Sequence, residues 1–154
     1  MVDHLTDSRP ASGDESPLLA ALVPVSFAVM AILQQVAAAH GLSLTQLRLL
    51  AILRDRQPTM SELAEYLGLD RSSVSGLIDR AEKRGLARRI ASDVDRRSSR
   101  VLLTRDGYLL AGDGSREIDA RMDPLTRALT GQERDELARL LSRFLLSGRT
   151  ASEH

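Results

Sequence analysis

Between Arg71 and Arg105 the sequence places ten basic residues, Arg71, Arg80, Lys83, Arg84, Arg88, Arg89, Arg96, Arg97, Arg100 and Arg105, against Asp79, Glu82, Asp93 and Asp95. The surplus of six belongs to this stretch alone, because 21 Lys and Arg balance 21 Asp and Glu over all 154 residues. The chemistry open to such a segment is anion recognition. Phosphate contacts need local positive charge only, so a neutral chain with one basic stretch and an acidic remainder suits a reader of duplex DNA. A solvated charged face is the plainer alternative. At the head of the stretch stand Arg71, Ser72, Ser73, Ser75 and Gly76, followed by Arg80. Short donors and acceptors with an arginine are the groups that fit base edges in the major groove.

Other chemistries find no residues to carry them. The chain has no cysteine, which excludes a disulfide, a thiolate metal site and a thiol nucleophile or redox switch. His4, His40 and His154 are scattered, so neither a histidine metal site nor any other metal or cofactor is expected. There is no convincing Gly-rich phosphate loop and no catalytic pair placed by a fold argument, and the chain is read as a non-enzyme.

The elements that must position the basic stretch follow from capping signals and periodicity. Residues 1–16 are polar, with Pro10 and Gly13, and read as a mobile tail, as do 149–154. Residues 17–148 are expected to form a single domain. A first helix is predicted over about Leu18 to His40, with Pro24 either kinking it or marking its start. Pro17 to Ala39 carries no charged side chain and is long enough to span a bilayer. Its Pro24, Ser26, Gln34 and Gln35, with no basic segment before it, argue instead for a helix buried nearly all round, partly by a second subunit. A second helix follows Ser43 or Thr45, with Leu47, Leu50 and Leu53 at helical spacing.

In QPTMSELAEYLGLDRSSVSGLIDRAEKRGLARRI, Thr59 and Glu62 stand in capping-box relation before a short helix closed by Gly68. Asp70 then caps a longer helix whose Val74, Leu77, Ile78 and Ala81 form an inward stripe ending before Gly85. Two helices joined by a tight turn make a helix-turn-helix, whose second helix enters the groove with its first turn. Leu86 to Ala91 and Ser98 to Leu103 read as strands of a β-hairpin, the wing, with Arg96 and Arg97 at its tip. Those two, with Arg100, are the expected phosphate or minor-groove contacts, and Asp95 is given a structural role in the turn. A helix capped by Thr104 follows, weakened by Gly107, Gly112 and Gly114 and expected to bend near Gly112. The last helix starts at the Thr130 and Glu133 box and carries the stripe Leu137, Leu140, Leu141, Phe144 and Leu145.

These motifs resemble the MarR (multiple antibiotic resistance regulator) family of winged helix-turn-helix repressors. SELAEYLGLDRSSVSGLIDRAEKRGLARR is similar to the family's paired DNA-binding helices. DVDRRSSRVLLTRDG is similar to its wing signature, here Asp95, Arg97, Leu103, Thr104 and Gly107. The resemblance spans about Leu18 to Leu146 and implies a mainly α fold with a small β-hairpin. In it, residues 43–105 form a DNA-binding lobe with its wing at 86–103, and 17–41 and 123–148 form the dimerisation helices. It further implies a cytoplasmic homodimer on pseudo-palindromic double-stranded DNA, a repressor released by a small amphipathic or aromatic effector, with no membrane partner. Leu18, Leu22, Leu137, Leu141, Phe144 and Leu145 are the expected dimer contacts, and Phe27, Met30, Gln34, His40, Leu47 and Tyr66 the expected effector pocket. The absent cysteines exclude peroxide sensing through a thiol, and no His and carboxylate cluster for zinc is assembled in the sequence. The alternative class is a ligand-binding or protein-interaction module without DNA binding.

Overall fold

The computed structural model describes residues 16–91 and 99–151, the last four as backbone only. The helices are α1 (Pro17–Ala39), α2 (Leu44–Asp55), α3 (Met60–Leu67), α4 (Arg71–Lys83), α5 (Arg105–Thr126) and α6 (Gly131–Ala151), with strands β1 (Ala87–Ala91) and β2 (Ser99–Leu103) between α4 and α5. The starts of α2 to α6 are each set by a side chain that satisfies orphan N–H groups of the first turn. Ser43 and Gln46 cap α2, and Thr59 and Glu62 cap α3, each as a reciprocal box. The Thr130 hydroxyl accepts from the Glu133 N–H at 3.3 Å while the Glu133 carboxylate accepts from the Thr130 N–H at 2.7 Å. Gly68 and Gly85 end α3 and α4 with φ of 66° and 68°, the left-handed region that glycine enters without strain.

The core lies where α2, α3 and α4 meet the hairpin and α5. Leu49, Leu50, Leu53, Leu63, Val74, Ile78 and Val101 are fully buried there. β1 and β2 pair antiparallel from Ala87 opposite Leu103 to Ala91 opposite Ser99. The backbone before α3 adds to the sheet edge: the Val101 N–H donates to the Pro58 carbonyl at 2.9 Å, and Thr59 bridges to Arg100.

The joint between hairpin and α5 explains the Leu-Thr-x-x-Gly run. The Thr104 hydroxyl donates to the Gly85 carbonyl at 2.6 Å and accepts from the Gly107 N–H at 3.1 Å, while the Thr104 N–H donates to the Leu86 carbonyl at 3.0 Å. Gly107 is buried against that same carbonyl: a Cβ built on it would lie 2.0 Å from the Leu86 oxygen. Beyond it α5 runs unbroken to Thr126 through Gly112, where a bend was expected. Gly114 is buried at the α2 contact, its added Cβ reaching Leu47 at 3.5 Å. Close packing of Gly107 on the hairpin and of Gly114 on α2 thus offsets their low helix propensity.

α1 is continuous through Pro24 and begins at Pro17, in the first turn, where a missing N–H costs no hydrogen bond. It lies on α5 through its C-terminal half, with Val36 and Ala37 buried. A polar strap fixes this contact. His40 Nε2 is 3.0 Å from Glu117 Oε2, Arg121 pairs with Glu117, and Arg121 also donates to Gln35 Oε1 at 3.0 Å. The expectation of a helix buried nearly all round is not met within one chain: Leu18, Leu19, Val23, Val25 and Phe27 are exposed, and Leu22 is half-buried. By length and apolarity α1 is also a helix that could cross a membrane. On α6 every described side chain from Gly131 to Ser147 is exposed, including Leu137, Leu141, Phe144 and Leu145.

Candidate nucleic-acid interface

The first turn of α4 is organised by Asp70. One carboxylate oxygen accepts from the Ser73 N–H at 2.9 Å and the Ser72 hydroxyl at 2.6 Å, and the other accepts from the Ser73 hydroxyl at 2.5 Å. These bonds to Ser72 and Ser73 hold the carboxyl far below the usual carboxylate range. Because the folded value lies below the unfolded one, this contribution is present at neutral pH. It is lost only as pH falls through the depressed folded value, so mild acid leaves the cap charged. Both hydroxyl protons therefore point to Asp70, and Ser72 and Ser73 offer outward lone pairs rather than the free donors the sequence suggested.

Around this cap Arg71, Ser72, Ser73 and Arg80 are exposed and Ser75 and Gly76 are half-buried. Val74, Leu77, Ile78 and Ala81 hold the opposite face in the core. Among the described residues a Cβ on Gly76 would meet only the end of Arg80, 3.5 Å away, so none of them requires glycine there. Lys83, Arg88, Arg100 and Arg105 are also exposed. Arg100 donates to the Gln57 carbonyl at 2.8 Å, which holds it beside the start of α3. Arg96, Arg97 and Asp95 lie outside the described residues.

Arg89, one of the ten basic residues, has a different use. From β1 it donates to Asp79 at 2.8 Å and to Glu82, and its N–H donates to Glu82 Oε1 at 2.8 Å. The same guanidinium lies 3.3 Å from the Ser75 carbonyl. Arg89 therefore fastens the wing to the flank of α4 and neutralises acids that would otherwise repel phosphate. Arg89→Ala is expected to cost about 1.5 to 3 kcal/mol, the range for hydrogen bonds to charged groups. Urea melts of Arg89→Ala, Glu82→Ala and the double variant check it, and a coupling below about 0.5 kcal/mol contradicts the clamp.

A second feature is a cavity of about 530 Å³, open to solvent on one side and lined by α1, α2 and α5. Its wall is apolar, with Met30, Leu33, Leu47 and Ile118, and carries Ser115 and two arginines, Arg48 and Arg54. Arg54 is paired with the adjacent Asp55 at 2.9 Å. Arg48 has carbonyl partners instead, donating to Tyr66 O at 2.7 Å and Leu67 O at 3.4 Å. Of the six residues expected around a pocket, Met30 and Leu47 line this one. Phe27 is 71% exposed on α1, Gln34 faces solvent, His40 is held by Glu117, and Tyr66 sits under the Arg56 guanidinium at 4.8 Å. Sequence periodicity missed Arg48 and Arg54 because both read as the polar face of α2. Only the arrival of α5 converts part of that face into a wall.

Comparison with known proteins agrees with this arrangement. Residues 40–98, which contain α2 to β1, match the MarR family model. The chain is 27% identical over 138 residues to the homoprotocatechuate degradative operon repressor of Escherichia coli, covering 88% of this chain and 93% of that protein. Among solved structures, a MarR-family transcriptional regulator from Silicibacter pomeroyi is 27% identical, with a TM-score of 0.72 over 85% of this chain and 89% of the other. NadR in complex with 4-hydroxyphenylacetate shares the fold at 24% identity, with a TM-score of 0.73 over 88% and 96%. A capped, outward-facing second helix, a two-stranded wing fastened to its flank and a matching order of flanking helices all meet in one chain, which in this arrangement is similar to the winged helix-turn-helix transcriptional regulators of the MarR family.

Proposed function

We propose that the protein is a homodimeric repressor that binds a pseudo-palindromic operator in double-stranded DNA and is released by a small amphipathic ligand. The observation that carries the DNA reading is the split of α4 into a buried stripe and an exposed face bearing Arg71, Ser72, Ser73 and Arg80. Arg71 reads a base edge, the serine lone pairs accept from base or water donors, and bare Gly76 lets the backbone approach. Arg80, Arg96, Arg97 and Arg100 contact phosphates or the minor groove.

The dimer reading rests on the apolar faces that one chain leaves open on α1 and α6, Leu18, Leu137, Leu141, Phe144 and Leu145 among them. A second copy covers them, sets the recognition helices about 34 Å apart and removes the need for a membrane. Repression is supported by the E. coli relative, named as an operon repressor. The effector reading rests on the cavity, where Arg48 is the cation with no acid partner among the described residues and Met30, Leu33 and Ile118 suit a ring or alkyl body. The complex of a fold neighbour with 4-hydroxyphenylacetate supports a ligand of this kind. A cytoplasmic location follows from DNA as partner.

Selection of bound fragments from a genomic library, followed by titration at several salt concentrations, tests the reading. Enrichment of an inverted repeat and a steep fall of log affinity with log salt are expected. Arg71→Ala is expected to lose about 1 to 3 kcal/mol and to relax preference at one position of each half-site. Absence of salt-sensitive binding would leave the chain a ligand-binding module without DNA.

A further inference from the structure

We infer that Arg84 is a positioning residue that bolts the recognition helix to the dimerisation helix and thereby sets the spacing of half-sites the dimer accepts. This rests on the dimeric DNA-reader proposal. Arg84 belongs to the basic surplus and caps the C-terminus of α4, yet its exposed guanidinium reaches across the surface to the end of α1. One nitrogen donates to the Gly41 carbonyl at 2.9 Å and the second lies 3.5 Å from the His40 carbonyl.

Those carbonyls belong to the turn just past Ala39 that closes α1, at its cap residue His40 and at Gly41. The last carbonyls of a helix lack intrahelical partners and carry the negative end of its dipole. α1 has no basic residue in its own last turn, so the cation arrives from α4. The turn it grips is already fixed on its other side. The His40 ring is held by Glu117 of α5, and Glu117 is held by Arg121, which also binds Gln35 of α1. Gly41, at φ 62°, turns the chain directly into α2. Arg84 thus joins the reading helix to the point where α1, α2 and α5 are strapped together. At the far flank of α4, Arg89 provides the matching tie to the wing.

In a dimer joined through α1 and α6, the separation and tilt of the two α4 helices pass through this joint. One base pair added between half-sites moves one of them by about 3.4 Å and about 34° around the duplex. A stiff joint rejects that change, and a joint without its fork tolerates it. Lysine keeps the charge but not the planar two-pronged reach, so it separates positioning from phosphate attraction.

The experiment measures full-length wild type, Arg84→Gln and Arg84→Lys on the operator that wild type selects. The same operator is also offered with one base pair added or removed at its centre. Wild type is expected to lose about a hundredfold on the altered spacings. Both variants are expected to lose less than about tenfold there, with an unchanged salt slope. Melting temperature and sedimentation confirm that each variant is a folded dimer.

The inference is overturned if Arg84→Gln keeps the wild-type spacing penalty, if Arg84→Lys restores it, or if the salt slope falls by about one, the mark of a lost phosphate contact. A wild-type protein that enriches no paired half-sites overturns the dimeric reader itself, a result separable from failure in the variants alone.

Discussion

Gly107→Ala is expected to cost about 3 kcal/mol or more, the upper range for forcing atoms into a filled core. Its methyl would start 2.0 Å from the Leu86 carbonyl oxygen, with the Leu86 carbon at 3.0 Å and a Leu103 methyl at 3.1 Å. Backbone on the far side cannot rotate away as a side chain end can. Relief requires the start of α5 to lift from the end of β2, which stretches the Thr104 bonds to Gly85 and Leu86. Both the wing and its link to α5 depend on that junction, so DNA binding should fall together with stability. Thermal and urea melts of the purified variant are the check. Gly112→Ala is the control, since its Cβ meets only the end of Arg116 at 3.8 Å and alanine is the better helix former. If Gly107→Ala melts like wild type, the close approach has been misread.

The second large effect concerns the open face of α6. Leu141→Ala and Phe144→Ala are each expected to weaken dimerisation by about 2 to 5 kcal/mol, the cost of emptying a buried site. Within one chain Leu141 is 40% and Phe144 57% exposed, so neither truncation should disturb the DNA-binding lobe. Sedimentation over a concentration series reads the dimer, and helix content by circular dichroism reads the fold. Weakened dimers should also bind the operator with a steeper dependence on protein concentration, because assembly then precedes binding. An unchanged dimer constant in both variants would move the interface away from this stripe.

Local signals carried most of the fold. Capping boxes at Ser43, Thr59 and Thr130, the Asp70 cap and the glycines after α3 and α4 act within three or four residues, so reading them needs no knowledge of distant packing. The inward stripe of α4 was legible because helical spacing alone puts Val74, Leu77, Ile78 and Ala81 on one face. The use of the charged residues was not. Arg84, Arg89 and Arg48 are alike as letters, and their roles diverge through partners 18 to 44 residues away or, for Arg89, 7 to 14 residues back on α4.

By itself, then, the order of residues determined which segments are helices, which face of α4 is dry and where positive charge accumulates, since propensity, capping and periodicity are short-range. Tertiary structure alone decided that Arg89 and Arg84 are ties rather than free cations, that Gly107 must be bare, and that Arg48 lines a cavity. The physical reason is that a guanidinium takes whichever acceptor the fold brings within about 3 Å. That proximity is created only when α1, α4, α5 and the wing pack together.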